Sequence, residues 1–174
     1  MALRIAVFTV AGVVALVAWL TTRGSGEPAG IGETIETRIV SAAELPNIAA
    51  LTGHPVYWAG PIAGTELEAT ERPDGSVQVR YLEAGAEAGE GEDEALTVGS
   101  YPLPDPARAL AAFAERPGSE TRRAPGGREV VFSRQKPTSA YFVSPGNGVQ
   151  VEVYDPSPRR ALALALSSKV RPAR

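Results

Sequence analysis

The chain has 174 residues, of which 44% are hydrophobic and 21% are charged, so it has the size of one modest globular domain. Its 17 lysines and arginines against 20 aspartates and glutamates give a formal net charge of -3, which argues against a nucleic-acid binder. The sequence contains no cysteine, and this excludes a disulfide framework, a thiolate nucleophile and a cysteine-ligated metal.

The first feature along the chain is an uncharged apolar segment that begins at Ile5 and ends at Thr22. At about 1.5 Å per residue, a helix of this length spans about 27 Å, close to the roughly 30 Å hydrocarbon core of a membrane. The segment has no polar face, and the bulky Trp19 near its end does not suit a signal-peptidase site. We therefore predict a transmembrane signal anchor over residues 1–23, with a cleaved signal peptide and a buried core helix as the alternatives.

The charges beside this segment predict its orientation. Arg4 and the α-amino group precede the span, whereas Arg23 follows it and is diluted by nearby glutamates such as Glu27 and Glu33. This asymmetry favours an N-terminus inside the cell and the bulk of the chain outside. We expect a single-pass protein of a bacterial cell membrane with an extracytoplasmic C-terminal domain.

Composition divides the rest of the chain. Residues 24–37 are rich in glycine and glutamate and are predicted to form a flexible tether, which leaves residues 38–174 as one domain. Within it, residues 83–94 hold six carboxylates spaced by alanine and glycine. Because they lack the ligand spacing of a calcium-binding loop, we interpret them as a solvated, mobile acidic loop.

The domain reads as alternating helices and strands in chain order. The final segment, residues 158–170, has alternating leucines, but its alanines and its Ser157-Pro158 entry favour a helix over a strand. The predicted elements are a short helix between Ser41 and Gly53, strands at 55–59, 65–70, 76–82 and 95–101, a helix after Asp105, strands at 128–133, 139–143 and 149–154, and this last helix. Hairpin connections and the absence of a G-x-G-x-x-G motif predict an α+β fold, with a mainly antiparallel sheet and its helices packed on one face.

The strongest hairpin signal joins the strands at 65–70 and 76–82 through Arg72-Pro73-Asp74-Gly75. Alternation places the apolar side chains of the two strands on one side of the sheet. The other side is predicted to face water, and it carries Glu66, Glu68, Gln78 and Arg80.

His54 is the only histidine and the obvious candidate base. No G-x-S-x-G motif accompanies it, and one histidine cannot build the usual histidine-rich zinc site. The alternative interpretation is a turn residue that closes the first helix. Tyr57 and Trp58 point to opposite faces if their segment is a strand, so one packs in the core while an exposed ring can stack on a sugar or a peptide.

These residues define the candidate site. We name His54, Tyr57 and Trp58 as candidate ligand-binding residues, and we predict no catalytic residue, no cofactor and no metal. Basic residues between positions 108 and 136 can contact anionic headgroups or cell-wall polymers, or they are scattered surface charges that balance the acidic loop.

Three short blocks carry a resemblance to other proteins. They are Gly53-His54-Pro55-Val56-Tyr57-Trp58-Ala59-Gly60-Pro61, Leu96-Thr97-Val98-Gly99-Ser100-Tyr101-Pro102 and Val151-Glu152-Val153-Tyr154-Asp155-Pro156-Ser157-Pro158. In these blocks the chain resembles a group of uncharacterised, single-span, membrane-anchored proteins from GC-rich bacteria. The resemblance covers most of the domain and implies architecture and location, with no assigned activity or site residue.

Together, the span, the tether and the lack of a catalytic motif predict a non-catalytic binding module in the bacterial envelope. Its expected partner is an envelope protein or a cell-wall component, and we take a monomer as the default state. The alternative is an envelope hydrolase that uses His54 or a pair of carboxylates, and a third hypothesis is a structural envelope protein without a specific ligand.

Overall fold

The computed structural model describes residues 35–90 and 95–174. The predicted span, most of the predicted tether and residues 91–94 of the acidic loop lie outside the described residues. Within the two described ranges, no helix has the length and apolar character needed to cross a membrane.

Ten strands and three helices make up the described residues. Most follow the predicted order, and the end of the first helix is confirmed at Gly53, whose φ of 75° gives the left-handed conformation typical of a helix C-terminus. The strands are β1 (Glu36–Val40), β2 (Tyr57–Trp58), β3 (Thr65–Glu71), β4 (Val77–Glu83), β5 (Thr97–Pro102), β6 (Ser119–Arg123), β7 (Glu129–Ser133), β8 (Ser139–Ser144), β9 (Val149–Tyr154) and β10 (Arg171–Pro172), and the helices are α1 (Leu45–Thr52), α2 (Pro106–Ala114) and α3 (Pro158–Leu166).

Eight of the strands form one sheet in the order β1-β3-β4-β5-β9-β8-β7-β6, and every neighbouring pair is antiparallel. The predicted hairpins between β3 and β4 and between β8 and β9 are confirmed. A second, two-stranded sheet pairs β10 with β2 and places Arg171 opposite Trp58. The α+β class with a mainly antiparallel sheet is thereby confirmed.

The two faces of the large sheet carry different helices. Val149, Val151 and Val153 of β9 belong to the main hydrophobic core, which also contains Ile48 of α1 and Ala165 of α3. We call this side the α1/α3 face. It holds the apolar side chains that alternation placed together in the predicted strands.

Helix α2 lies on the opposite side, which we call the α2 face. Its Phe113 packs edge-on against Tyr141 of β8 with ring centroids 5.3 Å apart, whereas the neighbouring Ala140 and Phe142 point into the main core. The prediction that all helices pack on one face is therefore wrong. A sheet with large side chains on both faces needs cover on both, and one layer of helices supplies it on one side only.

The predicted wet side of the β3–β4 hairpin is also wrong for three of its four residues, because Glu68, Gln78 and Arg80 are buried. The first part of the acidic loop covers Glu68 and Arg80: the Gly89 N–H donates to Glu68 Oε2, and Arg80 donates to the Glu90 carbonyl at 2.7 Å. Gln78 is buried beside Tyr101, to whose hydroxyl it donates. The prediction considered one strand pair alone, whereas the chain folds a loop back over its polar side.

Three strands were missed, namely β1, β6 and β10. The first two are the edges of the large sheet, where one side of the strand has no neighbour and hydrophobic alternation is weak. β1 begins at Glu36 and so includes the last residues of the predicted tether. The C-terminal helix is confirmed, but it ends at Leu166, and the chain then turns to form β10.

Candidate functional site

His54 lies directly after the end of α1, with both ring nitrogens against backbone carbonyl oxygens. Nδ1 is 3.1 Å from the Pro55 oxygen, and Nε2 is 2.7 Å from the Gly75 oxygen in the β3–β4 turn. A carbonyl oxygen can only accept a hydrogen bond. The ring therefore links the segment that follows α1 to the β3–β4 turn. Neither ring nitrogen is paired with a serine hydroxyl or a carboxylate, which a catalytic triad requires.

Tyr57 is a buried core residue. Its ring meets Phe142 edge-on with centroids 6.0 Å apart, and its backbone N–H donates to Ser100 Oγ at 2.8 Å. Tyr81 holds the residues that follow β2: its hydroxyl accepts from the Ala59 N–H at 2.7 Å and donates to the Gly60 carbonyl at 3.1 Å. Burial raises the pKa of Tyr81 to about 12, so this hydroxyl keeps its proton.

Trp58 is half-buried and packs against the edge of the core. The Arg171 guanidinium lies over its ring, 5.9 Å from the centroid, because β10 pairs with β2 at this position. The ring face that a sugar or a peptide needs for stacking is therefore shared with a side chain of the same protein. The three candidate residues are close together in sequence, but their side chains contact different neighbours.

An open groove of about 990 Å³ lies at one end of the large sheet. The β6–β7 turn and the β8–β9 turn meet there, because Val130 near the start of β7 pairs with Phe142 near the end of β8. Ala107, Ala111 and Ala114 of α2 form one wall. Of the three residues predicted from sequence, Tyr57 lines this groove and His54 and Trp58 do not.

Arg128 anchors the opposite wall of the groove. Its guanidinium lies over the Phe142 ring at 4.0 Å, and it donates to the carbonyls of Ala165 at 2.6 Å, Ser167 and Val170 at 3.3 Å. These are carbonyls at and beyond the end of α3, where a positive charge is favoured. Burial lowers the pKa of Arg128. The side chain thus joins the β6–β7 turn to the C-terminal segment that bounds the groove.

A second polar cluster, which sequence reasoning missed, surrounds Glu152 on the α2 face. Tyr141 donates to Oε1 at 2.8 Å and Tyr101 donates to Oε2 at 3.1 Å, while Gln78 donates to the Tyr101 hydroxyl at 2.9 Å. Glu152 is only 4% exposed. The available signal was the alternation in β9, where Gln150 and Glu152 separate three valines and so must share one face.

Burial governs the proton chemistry of this cluster. It raises the pKa of Glu152, and hydrogen bonds from Ser139, Tyr141 and Tyr101 offset that effect only in part. Burial and the nearby carboxyl also raise the pKa values of Tyr101 and Tyr141. Because the carboxyl is enclosed, it contacts no space that a substrate can enter, and its chemistry is that of a hydrogen-bonded core group.

A buried ion pair lies near this cluster, toward the β1 edge. Arg80 donates to Glu68 Oε1 at 2.7 Å, and both side chains are enclosed by the sheet and the 84–90 segment. Hydrogen bonds from this pair to the backbone at Gly89 and Glu90 connect the loop to the sheet. Within the described ranges, no group of three or more histidine, aspartate or glutamate side chains is arranged to hold a metal ion.

The structure thus places the three sequence-predicted residues in different surroundings, and of the three only Tyr57 lines the groove. Searches with protein-family models, among curated proteins and among solved structures find no match to this chain. The resemblance to single-span proteins of GC-rich bacteria therefore stays a prediction.

Proposed function

We propose that this protein is a non-catalytic binding module, held in a bacterial cell membrane by residues 1–23 with its domain on the extracytoplasmic side. The observation that carries the proposal is the open groove between α2 and the C-terminal segment. It is the kind of concave surface that accepts part of another molecule. The uncharged segment from Ile5 to Thr22 supports the membrane anchor.

The side chains of the groove favour an extended polypeptide segment with acidic residues as the ligand. Arg128, Arg171 and Arg174 contribute positive charge to its lining, against the single carboxylate side chain of Glu129. The alanine wall of α2 has little bulk, which allows a backbone to approach closely. We therefore take an envelope protein as the partner, in preference to a cell-wall polymer.

The tether sets how far the module can search. Between Arg23 and Ile35 the chain can reach at most about 40 Å when fully extended. Confinement to one membrane raises the effective concentration of the module near other envelope proteins, so a weak contact in the groove is sufficient.

An envelope hydrolase that uses His54 or a carboxylate pair has less support. Both His54 ring nitrogens contact carbonyl oxygens, and the Glu152 carboxyl is buried within its hydrogen-bond cluster. Under our proposal, His54→Ala lowers stability through the lost link between the Pro55 and Gly75 segments and leaves cellular phenotypes intact at permissive temperature. A variant that stays folded yet loses a cellular phenotype would favour the hydrolase.

The groove is tested with photo-crosslinking in membranes that contain the full chain. A photoreactive amino acid at position 111, in the α2 wall, is compared with the same amino acid at position 112, which is exposed on the same helix but outside the groove. We expect partner adducts from position 111 only. Ala111→Trp, which fills the groove, removes the partner from affinity captures, whereas Ala112→Trp does not.

Two results count against the proposal. Equal adducts from positions 111 and 112 indicate random collision, and repeated recovery of the bait alone under mild crosslinking indicates that no stable partner exists. Circular dichroism of both tryptophan variants provides the folding control, since each replaces an exposed alanine.

A further inference from the structure

The two outer strands of the large sheet carry the same tripeptide. Glu-Thr-Arg occurs at positions 36–38 of β1 and again at positions 120–122 of β6. Among the described residues, each of these strands has one hydrogen-bonded neighbour, so its outer edge is open to a further strand. An antiparallel pair centred on threonine sets each glutamate opposite an arginine, so this tripeptide is complementary to itself.

The residues on either side of the tripeptide distinguish the two edges. At the β1 edge they are Ile35, directly before the strand, and Ile39, and these side chains are 59% and 39% exposed. They are two of the three large hydrophobic side chains that stay exposed in the described residues, the third being Leu51 on α1. In β6 the corresponding positions are Ser119 and Arg123. The β1 edge therefore offers apolar contacts that the β6 edge lacks.

We propose that β1 pairs with β1 of a second copy of this chain, antiparallel and about a twofold axis at Thr37. The axis stands perpendicular to the sheet, so both copies keep the same face on the same side. Glu36 of each copy then lies opposite Arg38 of the other, and Ile35 lies opposite Ile39. The open edge, the self-complementary charges and the exposed isoleucines together carry this proposal, which goes beyond the binding function of the groove.

The alternation of β1 agrees with this register. Val40 is buried in the main core, so Glu36 and Arg38 share the α1/α3 face. Thr37 points to the other face, where its hydroxyl lies 3.1 Å from that of Thr70. Ile35 and Ile39 are on that same side, and the twofold pairing sets Ile35 of each copy against Ile39 of the other, so that one isoleucine pair flanks the threonine pair on each side, away from the charged pairs.

The other two edge pairings are less favourable. A β6–β6 pair sets Ser119 opposite Arg123, and a β1–β6 pair sets Ile35 opposite Arg123. The β1–β1 pair also closes on itself, as twofold dimers do, whereas β1–β6 contacts continue from copy to copy. One five-residue strand pair is small compared with stable interfaces, so the dimer depends on two copies lying in one membrane.

The experiment is disulfide crosslinking of the full chain in membranes, where the lack of native cysteines makes each introduced thiol unambiguous. Directly opposed strand residues have Cα atoms about 4.5–5.5 Å apart, within the range that a disulfide spans. Thr37→Cys is therefore expected to form at least about tenfold more linked dimer than Thr121→Cys, the matched position on the β6 edge.

Register and contact are tested by further variants. A mixture of Ile35→Cys and Ile39→Cys chains should link, while either variant alone should not. In the Thr37→Cys background, Ile39→Lys should lower the dimer yield about fivefold, and Leu51→Lys, at an exposed apolar position on α1, should leave it unchanged.

Three outcomes overturn the proposal. Equal linking by Thr37→Cys and Thr121→Cys indicates random collision, and linking only in a mixture of these two chains indicates head-to-tail β1–β6 contacts. No linking by Thr37→Cys, together with none in the Ile35→Cys and Ile39→Cys mixture, shows that the β1 edge stays unpaired. The groove proposal is unaffected by any of these results, since its variants lie on α2.

Discussion

Tyr141 and Glu152 face each other across β8 and β9, and the tyrosine hydroxyl donates to the buried carboxylate oxygen at 2.8 Å. Tyr101 donates to the other oxygen from β5. The carboxyl therefore has hydrogen-bond partners on two neighbouring strands. Its protonation is coupled to the stability of the sheet centre.

The Glu152 carboxyl should make the free energy of unfolding decrease as the pH rises. Its pKa is raised by burial in the folded protein, so the folded state holds a proton that the unfolded state releases above about pH 4.3. Between the unfolded and folded pKa values the free energy of unfolding decreases by about 1.4 kcal/mol per pH unit. Urea unfolding at a series of pH values is expected to show a flatter profile for Glu152→Gln.

The control for this experiment is Glu83→Gln, at an exposed position at the end of β4. Its pH profile should follow that of the unmodified protein. Parallel profiles for Glu152→Gln and the unmodified protein would show that Glu152 does not change its proton affinity on folding.

Gly99 and Tyr101 form a second testable pair. A Cβ atom at Gly99 would lie 2.5–2.7 Å from atoms of the Tyr101 ring and hydroxyl, so the tyrosine covers a space that only glycine leaves open. We expect Gly99→Ala to destabilise the protein by about 1–3 kcal/mol through overpacking. Because the clash is with one side chain, the same change should cost much less in a Tyr101→Ala background, as a double-mutant cycle in urea would show.

Equal costs of Gly99→Ala in both backgrounds would disprove this coupling. They would indicate that the alanine strains the backbone of β5 itself, since Gly99 pairs with Gln78 on one side and Glu152 on the other.

Arg128 should contribute more to stability than the exposed arginines. It donates to three carbonyls in and after α3 and lies over the Phe142 ring. We expect Arg128→Ala to lower the free energy of unfolding by about 2–4 kcal/mol and Arg128→Lys by about half of that, because an ammonium lacks the planar set of donors. Thermal unfolding measures the loss of stability in each variant. Hydrogen exchange at the β2–β10 pair shows whether the C-terminal segment is affected.

Arg134→Ala is the matched control, because Arg134 is exposed and pairs with Glu120 at 3.5 Å. A surface pair of this kind is worth at most about 1 kcal/mol. If both alanine variants unfold alike, the contacts of Arg128 do not stabilise the C-terminal segment.

Much of the fold was predictable because local signals were strong. The turn at Arg72-Pro73-Asp74-Gly75, the N-cap at Asp105 and the glycine at the end of α1 each act over a few residues, and each is found where the sequence predicted it. The strands β3, β4 and β9 were recognisable from alternating apolar side chains. Edge strands lack this pattern, since one of their sides has no neighbour, and β1 and β6 were missed for that reason.

The candidate site was less predictable, because it depends on residues far apart in sequence. His54 is a candidate base by its residue type, but its ring contacts a backbone carbonyl of the distant β3–β4 turn. In the sequence Arg128 is one of many basic residues, whereas in the structure its contact with α3 makes it part of the groove. Glu152 belongs to no catalytic motif in the sequence, and the two tyrosines that hold it come from other strands.

The sequence by itself determined the class of the fold, most of its elements and the prediction of a membrane anchor, because hydrophobic periodicity and turn residues act locally. The tertiary structure decided which side of each strand is buried, since that depends on which helix or loop covers it. A polar side chain in a strand can face water or form an enclosed hydrogen-bond network, and only the packing of the whole sheet distinguishes the two.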